Sequence, residues 1–183
     1  IMAYLNSDDV LLPGTLATVC DFFSRHPDVD VVYGHRLIID ENDQEIGRWI
    51  LPPHDNKVIR FNDYIPQETM FWRRSAWDAV GRSLDETFQF AMDWDLILRF
   101  RAAGLRFARI PRMLGGFRVI ETQKTQTLLM TTGATEINRL RMREFGSLPR
   151  SRQIRRALRP YRLRQWFEHH AYSFLESSQR KAS

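Results

Sequence analysis

The first sixteen residues constrain the fold more than any other part of the chain. Residues 1–5 are apolar and predict a short buried strand, residues 6–9 form a polar turn, and Pro13 opens a helix. In open α/β sheets, ligands bind just outside the carboxyl ends of the strands, which is where this turn would lie. The turn carries two adjacent carboxylates, Asp8 and Asp9. It is therefore the first candidate site, and the rest of the chain is expected to be the scaffold around it.

Helical and extended patterns alternate along the chain, which predicts an α/β fold. The predicted strands are residues 29–33, 35–39, 45–50, 67–73, 106–110 and 113–119, and the predicted helices are residues 13–26, 75–80, 91–103, 122–145 and 152–178. Gly34 is expected to form a turn or a bulge, and residues 40–43 a hairpin turn. Ser75 is expected to cap its helix, and Pro160 to break the last one.

Length and composition describe an ordinary globular chain. Its 183 residues suffice for one domain with a core, or for a domain with an appendage. No apolar run approaches the roughly 18 residues that a membrane-spanning helix requires. The single cysteine, Cys20, excludes an internal disulfide framework and indicates a reducing, cytoplasmic compartment. Its place in the apolar stripe of the first helix predicts a buried thiol.

The net charge of +5 is concentrated in the carboxyl-terminal part of the chain. The arginines there include Arg139, Arg141, Arg143, Arg150, Arg152, Arg155, Arg156, Arg159, Arg162 and Arg164. Such an accumulation predicts an acidic partner, either phospholipid or nucleic acid. No recognised nucleic-acid motif accompanies the arginines, and Trp166 and Phe167 lie among them, so a peripheral contact with the inner face of the membrane is favoured and nucleic acid is not expected.

The turn at residues 6–9 has two interpretations. Its carboxylates could hold Mg²⁺ or Mn²⁺, which prefer oxygen ligands and bridge to substrate phosphates. The turn could instead be only solvated. A role as helix cap is disfavoured because Pro13 marks the helix start and the acids precede it by several residues. Spacing alone leaves the first two interpretations open.

Asp93 and Asp95 lie at the start of the predicted helix over residues 91–103. Because they are two residues apart, their side chains point to different faces. One could stabilise the amino terminus of the helix through its dipole. The other could project into a cleft as a general base, a role that requires a carboxylate near the hydroxyl group it deprotonates.

Two further segments combine polar and aromatic or small residues. Gln67 and Glu68 precede an aromatic pair that includes Trp72, and this group could form a sugar-binding floor or could pack in the core. Residues 115–118, Gly-Gly-Phe-Arg, are followed by Lys124. Arginine and lysine are natural phosphate partners, and paired glycines let the backbone approach a ligand closely.

Four motifs occur together in one order, with the spacing of a known family. They are L-N-S-D-D-x-x-x-P-G-x-L from Leu5, Q-x-x-x-F-W-R-R-S from Gln67, D-E-x-F-x-x-A-M-D-W-D-L-x-L-R from Asp85 and G-G-F-R-x-x-x-x-Q-K-T from Gly115. In this set the chain resembles family 2 glycosyltransferases of the GT-A fold, over about residues 1–125. The resemblance implies a Rossmann-like mixed sheet flanked by helices, followed by a basic helical tail.

The resemblance also implies roles for the acidic residues. Asn6 and Asp8 occupy the position of the D-x-D motif, where carboxylates hold Mg²⁺ or Mn²⁺ against the diphosphate of a nucleotide sugar, and Asp9 is the acid that commonly follows. Asp93 matches the proposed general base of the E-D signature. Met92 stands in place of the acid that usually precedes that base.

Other site residues follow from the same resemblance. Arg118 matches the arginine of the F-R pair, and Lys124 is the candidate to replace a histidine that often follows that pair on the phosphate side. The acceptor side would be formed by Gln67, Glu68, Trp72 and Trp94. The acceptor itself would be a hydroxyl group of a cell-surface glycan or of a lipid carrier.

The resemblance divides the chain into an acceptor-side part, residues 1–125, and a basic helical extension, residues 126–183. Because the family has a nucleotide-binding half before the D-x-D strand, the chain is expected to be the carboxyl half of such an enzyme. A sheet without its central strands would expose apolar edges, which predicts a homo-oligomer. The alternative is a catalytically incomplete fragment that serves as a binding or membrane-associated module.

Overall fold

A computed structural model describes residues 1–119 and 132–180, with side chains described as far as residue 173, and has a mixed α/β fold. The strands are β1 (Val10–Leu11), β2 (Val31–Ile39), β3 (Glu45–Trp49), β4 (Phe71–Trp72) and β5 (Phe107–Arg118). The helices are α1 (Thr15–Arg25), α2 (Arg74–Ala79), α3 (Met92–Ala102), α4 (Ala134–Phe145) and α5 (Ser151–Arg180), with short 3-10 helices at Val58–Arg60 and Gln67–Thr69. The predicted mixed sheet flanked by helices is confirmed.

Strand β2 is the centre of the sheet. It pairs in parallel with β5 and antiparallel with β3, and its first residues also pair antiparallel with β4. Strand β1 completes the sheet by pairing antiparallel with the end of β5, so that the main strand order is β1-β5-β2-β3. This topology brings the turn at residues 6–9 and the end of β5 to the same place.

Alternating side chains of β2 divide the core between the two faces of the sheet. Val31 and Tyr33 belong to the larger cluster, which also contains side chains of α3 and α5. Val32 belongs to a second cluster with Val19 and Phe23 of α1. Successive side chains of a strand point to opposite faces, so β2 is buried on both sides as a central strand should be.

The predicted strand at residues 1–5 is wrong. Only Met2 pairs with the sheet, in an isolated bridge in which Met2 and Trp72 exchange two backbone hydrogen bonds of 2.8 and 2.9 Å. Ile1 and Leu5 are exposed. The apolar composition of this segment misled the prediction because a strand requires a continuous ladder partner, and β4 offers only two residues.

In two places the sequence predicted two separate strands where the structure has one continuous strand, β2 or β5. Strand β2 runs through Gly34, and its pairing with β5 shifts register there. Of the turn or bulge expected at Gly34, the structure therefore has the bulge. A Cβ atom at Gly34 would lie 2.4 Å from Cγ of Leu114, which explains the glycine by close packing. Strand β5 likewise continues through Pro111, although the proline predicted a strand end.

Three helix predictions need correction. Cys20 is exposed because the buried face of α1 carries Thr15, Val19 and Phe23, and the cysteine lies outside that face. Helix α2 begins one residue early, with Arg73 at the cap position and no side-chain capping bond. Helix α5 is continuous through Pro160. The proline is exposed, so water can solvate the carbonyl oxygen that its missing N–H leaves free.

The carboxyl-terminal helices pack onto the same core. Helix α4 contributes Leu140 to a cluster with α3, and α5 contributes Leu158 and Tyr161 to the larger cluster. The predicted domain boundary at residues 125–126 lies outside the described residues. None of the described helices combines the length and apolarity needed to cross a bilayer.

Candidate functional site

A cavity of about 490 Å³ opens beside the amino end of α3. Its wall combines parts of the chain that are far apart in sequence: the turn at residues 6–9, the β2–β3 hairpin, residues 62–68, α3 and α4. Its charged lining residues are Asp9, Arg36, Asp63, Glu68, Asp93 and Arg141. Acidic groups therefore outnumber basic ones in the wall.

Most of the residues that the sequence singled out meet in this cavity. The predicted site residues that line it are Asn6, Asp9, Gln67, Glu68, Asp93 and Trp94. Asp8 is half-buried next to the lining residue Asp9, and Lys124 lies outside the described residues. Trp72 is not among the described lining residues. It is 3% exposed and packs in the core against Phe100, as the alternative interpretation of its segment expected.

The turn at residues 6–9 is held by its own polar groups. The backbone N–H of Asp9 donates to the carbonyl oxygen of Asn6 at 3.2 Å. The side-chain amide of Asn6 donates to Oδ2 of Asp9 at 3.2 Å, and the backbone N–H of Arg118 donates to Oδ1 at 3.1 Å. Asp9 is only 6% exposed. Both of its carboxylate oxygens therefore accept their hydrogen bonds in an environment that contains little water.

Negative charge accumulates at Asp9. Burial raises the pKa of its carboxyl group, the N–H of Arg118 opposes that shift, and the charges of Glu68 and Asp8 raise the pKa further. A divalent cation beside these carboxylates would relieve their mutual repulsion. The electrostatics of the turn therefore favour a positively charged ligand.

The guanidinium group of Arg118 joins the turn to the β2–β3 hairpin. Its Nε donates to the carbonyl oxygen of Asp8 at 2.9 Å and its Nη1 to the carbonyl oxygen of Asp40 at 2.9 Å. Its Nη2 contacts Oδ1 of Asp43 at 2.7 Å. These contacts position the turn, and a role for Arg118 in binding phosphate stays a prediction.

The glycines before Arg118 also have a structural explanation. Gly115 and Gly116 lie in β5, within the strand predicted for residues 113–119. A Cβ atom at Gly115 would lie 2.9 Å from Cγ of Glu68, and one at Gly116 would lie 2.9 Å from Cγ2 of Val10. The two glycines therefore let β5 pack closely against Glu68 and β1, in place of the predicted approach to a ligand.

Asp93 and Asp95 point to different environments, as their spacing predicts. Asp95 is fully buried and pairs with Arg99 at 2.8 Å and with Arg143 at 2.5 Å. Asp93 lines the cavity, half-buried, and accepts the backbone N–H of Trp94 at 2.7 Å. Asp95 is therefore a structural ion-pair partner, while Asp93 keeps access to the cavity.

Two carboxylates in the cavity have raised pKa values. Burial raises the pKa of Asp93 to about 6, and its hydrogen bond from Trp94 only partly opposes this. Burial also raises the pKa of Asp63 well above the ordinary value, and the charge of Asp93 adds to that shift. A carboxyl group with a pKa near 6 can exchange a proton with a substrate at neutral pH.

An ion pair forms one wall of the cavity. Nε and Nη2 of Arg36 each donate to one oxygen of Glu68 at 2.6 Å. The guanidinium carbon of Arg36 also lies 5.1 Å from the ring centre of Trp49 and 4.5 Å from that of Phe117. Glu68 is thus held in an ion pair, and two aromatic rings are held at the cavity wall.

Helix α4 fixes the start of α3. The carboxylate of Glu136 accepts the backbone N–H groups of Gln89, Phe90 and Ala91 at 2.8, 2.8 and 2.9 Å. No side chain of α3 itself caps this helix start, since Ala91 holds the cap position. The loop that leads to Asp93 is therefore held by an acidic residue from a distant part of the sequence.

Trp94 joins α3 to the same wall. Its indole N–H donates to the carbonyl oxygen of Ile59 at 2.8 Å, and the side chain is 2% exposed. Arg141 of α4 donates from Nε and Nη2 to the carbonyl oxygen of Phe61 and lies 5.9 Å from the centre of the Trp94 ring. Trp94 is thus fixed by the core and forms part of the cavity wall.

Whether a divalent cation fits the turn at residues 6–9 depends on the oxygen donors that surround it. Within residues 1–119 and 132–180, no group of three or more His, Cys, Asp and Glu side chains is arranged to hold a metal ion. Mg²⁺ is often held by only one or two carboxylates together with substrate phosphates. The turn provides Asp9 in the cavity wall and Asp8 next to it in the sequence, beside a cavity large enough for a substrate. This donor set fits a hard divalent cation shared with a phosphate ligand.

Sequence patterns did not single out Arg36, Asp63, Glu136 or Arg141 as cavity residues. Arg36 carried one usable signal, since it is a charged residue within an otherwise apolar strand. The others lie in segments whose composition is ordinary for a surface. Their roles depend on contacts with distant parts of the chain, which no local pattern records.

Protein-family models give no match to this chain, and neither do curated proteins.

Proposed function

We propose that this chain is a metal-dependent inverting glycosyltransferase of the GT-A fold, or the acceptor-side part of one. It would move a sugar from a nucleotide-diphosphate sugar to a hydroxyl group of a glycan or a lipid carrier. The observation that carries the proposal is the convergence of Asp93 with Asn6 and Asp9 on one cavity. These residues come from two of the four motifs that resemble family 2 glycosyltransferases.

Asp93 is the general base in this proposal. With a pKa near 6 it is ionised at neutral pH and still basic enough to accept a proton. It takes the proton of the acceptor hydroxyl while that oxygen attacks the anomeric carbon. The bond from the anomeric carbon to the diphosphate oxygen breaks on the opposite side of the sugar, so the configuration inverts.

Asp8 and Asp9 are the residues that would hold Mg²⁺ or Mn²⁺. When bound, the cation supplies positive charge that neutralises the departing diphosphate. Asn6 orients Asp9 through its side-chain amide, and Arg118 holds the turn in place from β5. These contacts preorganise the Asp9 carboxylate, which reduces the cost of assembling the site around a substrate.

The wall that includes Gln67, Glu68 and Trp94 would form the acceptor side. The rings of Trp49 and Phe117 offer apolar surfaces on which a sugar ring can stack, and Arg36 fixes both rings. A cavity of about 490 Å³ lies in the range of small-ligand sites. Its mixture of carboxylates, amides and aromatic rings suits a polyhydroxylated ligand.

Release of nucleoside diphosphate from a panel of nucleotide sugars, measured with Mn²⁺ and a mixture of glycan acceptors, tests the proposal. We expect Asp93→Asn to reduce turnover by at least about 100-fold, because general-base catalysis contributes on that order. Asp78→Asn makes the same chemical change on the exposed surface of α2 and should leave turnover unchanged.

Calorimetry separates the function from its alternative. A catalytic chain should bind a nucleotide sugar in the presence of Mn²⁺, and Asp93→Asn should retain that binding. Binding that disappears on Asp8→Asn would support the assigned metal residues. An absence of heat with every donor, together with no turnover, would reject catalysis by this chain and favour a non-catalytic binding module.

A further inference from the structure

Helix α5 has one face that packs against the protein and one that does not. The packed face carries Ile154, Leu158 and Tyr161, which join the larger core cluster. Toward its end, Glu168 pairs with Arg109 at 2.8 Å and Gln165 donates to the carbonyl oxygen of Ile50 at 3.3 Å. These contacts fix the rotation of the helix about its axis, so its other face has a defined direction.

The opposite face carries a continuous stripe with the spacing of a helix surface. Its members are Arg152, Arg155, Arg156, Arg159, Leu163, Trp166, Phe167 and His170, and all of them are exposed. Successive members are separated by one, three or four residues, which keeps them on one side of an α-helix. The stripe is cationic before Pro160 and apolar or aromatic after it. We call it the α5 stripe.

The apolar half of the α5 stripe exposes more surface than an ordinary soluble helix requires. Leu163, Trp166 and Phe167 are 58, 53 and 58% exposed. The Trp166 and Phe167 rings contact each other edge-on with centres 4.9 Å apart, and the ring of His170 lies 4.1 Å from that of Trp166. A contiguous patch of this kind marks an interaction site.

The cationic half identifies the charge of the partner. Among the described residues, no carboxylate forms an ion pair with Arg152, Arg155, Arg156 or Arg159, and the ion pair of this helix is that of Glu168 with Arg109. The stripe itself contains no acidic residue, so a second copy of it would supply no opposite charge. The partner should therefore be anionic and should also accept apolar side chains.

An anionic bilayer meets both requirements. Phospholipid headgroups attract arginine, and the boundary with the acyl chains receives leucine and aromatic side chains to a depth of about 5–10 Å. Tryptophan prefers this interface because its ring is amphipathic. A nucleic acid would pair with the arginines and can stack a base on an aromatic ring, but it would leave the aliphatic Leu163 without a suitable contact.

We propose that the α5 stripe is a docking surface for an anionic phospholipid bilayer, on which α5 lies parallel to the membrane plane. Arg152 to Arg159 contact the headgroups, and Leu163, Trp166 and Phe167 insert at the interface. This role is independent of the proposed catalysis, because the stripe contributes no residue to the cavity.

Co-sedimentation of the whole chain with vesicles tests the docking surface. We expect binding to phosphatidylcholine vesicles that contain phosphatidylglycerol and none to vesicles of phosphatidylcholine alone. The fluorescence of Trp166 should shift to shorter wavelength on binding, since this ring is more exposed than the other tryptophans. Binding should weaken as salt is added, because headgroup attraction is screened.

Two variants separate the two halves of the stripe. Replacing Arg155, Arg156 and Arg159 by Gln should weaken vesicle binding by about 100-fold. Each arginine near an anionic surface contributes a factor of about five to the affinity, and the three factors multiply. The matched control replaces the exposed arginines Arg25, Arg74 and Arg112 by Gln, which makes an equal change in net charge away from the stripe and should have little effect.

The apolar half has its own pair of variants. Trp166→Ser with Phe167→Ser should weaken binding by about tenfold, in proportion to the apolar surface withdrawn from the bilayer. Leu16→Ser with Ile46→Ser is the control, because these side chains are 61 and 58% exposed elsewhere. Circular dichroism would show that every variant keeps its helix content.

Several results would overturn the proposal. Equal binding to neutral and anionic vesicles would reject the charge assignment. Binding to nucleic acid in place of vesicles would assign the stripe to nucleic acid. A dimer in light scattering whose dissociation follows Trp166→Ser would assign the stripe to a second copy of the chain.

Discussion

Glu136 accepts the backbone N–H of Ala91 at 2.9 Å, across 45 residues of sequence. Burial alone would raise the pKa of Glu136, yet the hydrogen bonds from Gln89, Ala91 and Phe90 outweigh burial and lower it. The ionised carboxylate thus acts as a remote cap for α3. Asp93, the proposed base, follows Ala91 by two residues. Its position therefore depends on the hydrogen bonds that Glu136 accepts from this loop.

We expect Glu136→Gln to destabilise the fold by about 1–3 kcal/mol, because a neutral amide replaces a buried carboxylate that accepts three N–H groups. Thermal unfolding at neutral pH would measure the loss. Because the lowered pKa stabilises the folded state only while Glu136 is ionised, the difference between the two proteins should shrink as pH falls through that pKa. Glu86→Gln, on an exposed residue of the preceding loop, should change stability little. Equal stability of Glu136→Gln and the parent at neutral pH would contradict the capping role.

The ionised Asp93 carboxylate should lower the free energy of unfolding at neutral pH. Burial raises its pKa from 3.8 to about 6, so the folded chain binds this proton more tightly than the unfolded chain. The free energy of unfolding should therefore fall as pH rises from about 4 to about 6, and stay lower above that range. Asp93→Asn should be more stable than the parent at neutral pH, by an amount on the order of 2 kcal/mol. Urea unfolding at pH values on both sides of the range would detect this. A variant that is less stable at neutral pH would show that the carboxylate is better compensated than its pKa implies.

The ion pair of Arg36 and Glu68 should be strongly coupled. The Glu68 side chain is 1% exposed, so Arg36→Met should cost about 3–5 kcal/mol by leaving a buried charge without a partner. The double variant Arg36→Met with Glu68→Met should cost clearly less than the sum of the two single changes. A double-mutant cycle in denaturant measures this coupling energy. The exposed pair of Arg25 and Asp21 is the control and should give less than about 1 kcal/mol. Additive effects at Arg36 and Glu68 would disprove the coupling.

Gly34 should tolerate no side chain. A Cβ atom there would lie 2.4 Å from Cγ of Leu114 and 2.8 Å from the carbonyl oxygen of Arg112, so Gly34→Ala should destabilise the fold by about 1–3 kcal/mol. Gly47→Ala is the control, since its nearest neighbour would be Cδ1 of Ile38 at 3.5 Å. The midpoint of chemical unfolding would compare the two variants. A stable Gly34→Ala would mean that β2 and β5 can separate locally without cost.

The hairpin of β2 and β3 and the helix α3 could be predicted from sequence. The turn cluster at residues 40–43 and the apolar spacing before Gly104 are local signals, and local signals suffice where an element forms through contacts among its own residues. The prediction of a strand at residues 1–5 was wrong for the opposite reason. Its apolar side chains are compatible with a strand, but pairing depends on the length of β4, which is set elsewhere in the chain.

The sequence by itself determined the mixed α/β class, the two carboxylates of the opening turn and the two different faces of Asp93 and Asp95. Each of these follows from periodicity or spacing within a few residues. Only the tertiary structure decided that Asp93 shares a cavity with Asp9, Arg36 and Asp63, because their proximity results from the pairing of β5 with β1 and β2 and from the packing of α3. It also decided that Cys20 faces solvent and that the α5 stripe points outward. Burial and pKa depend on what the rest of the chain places around a side chain, and that arrangement is not encoded in any single segment.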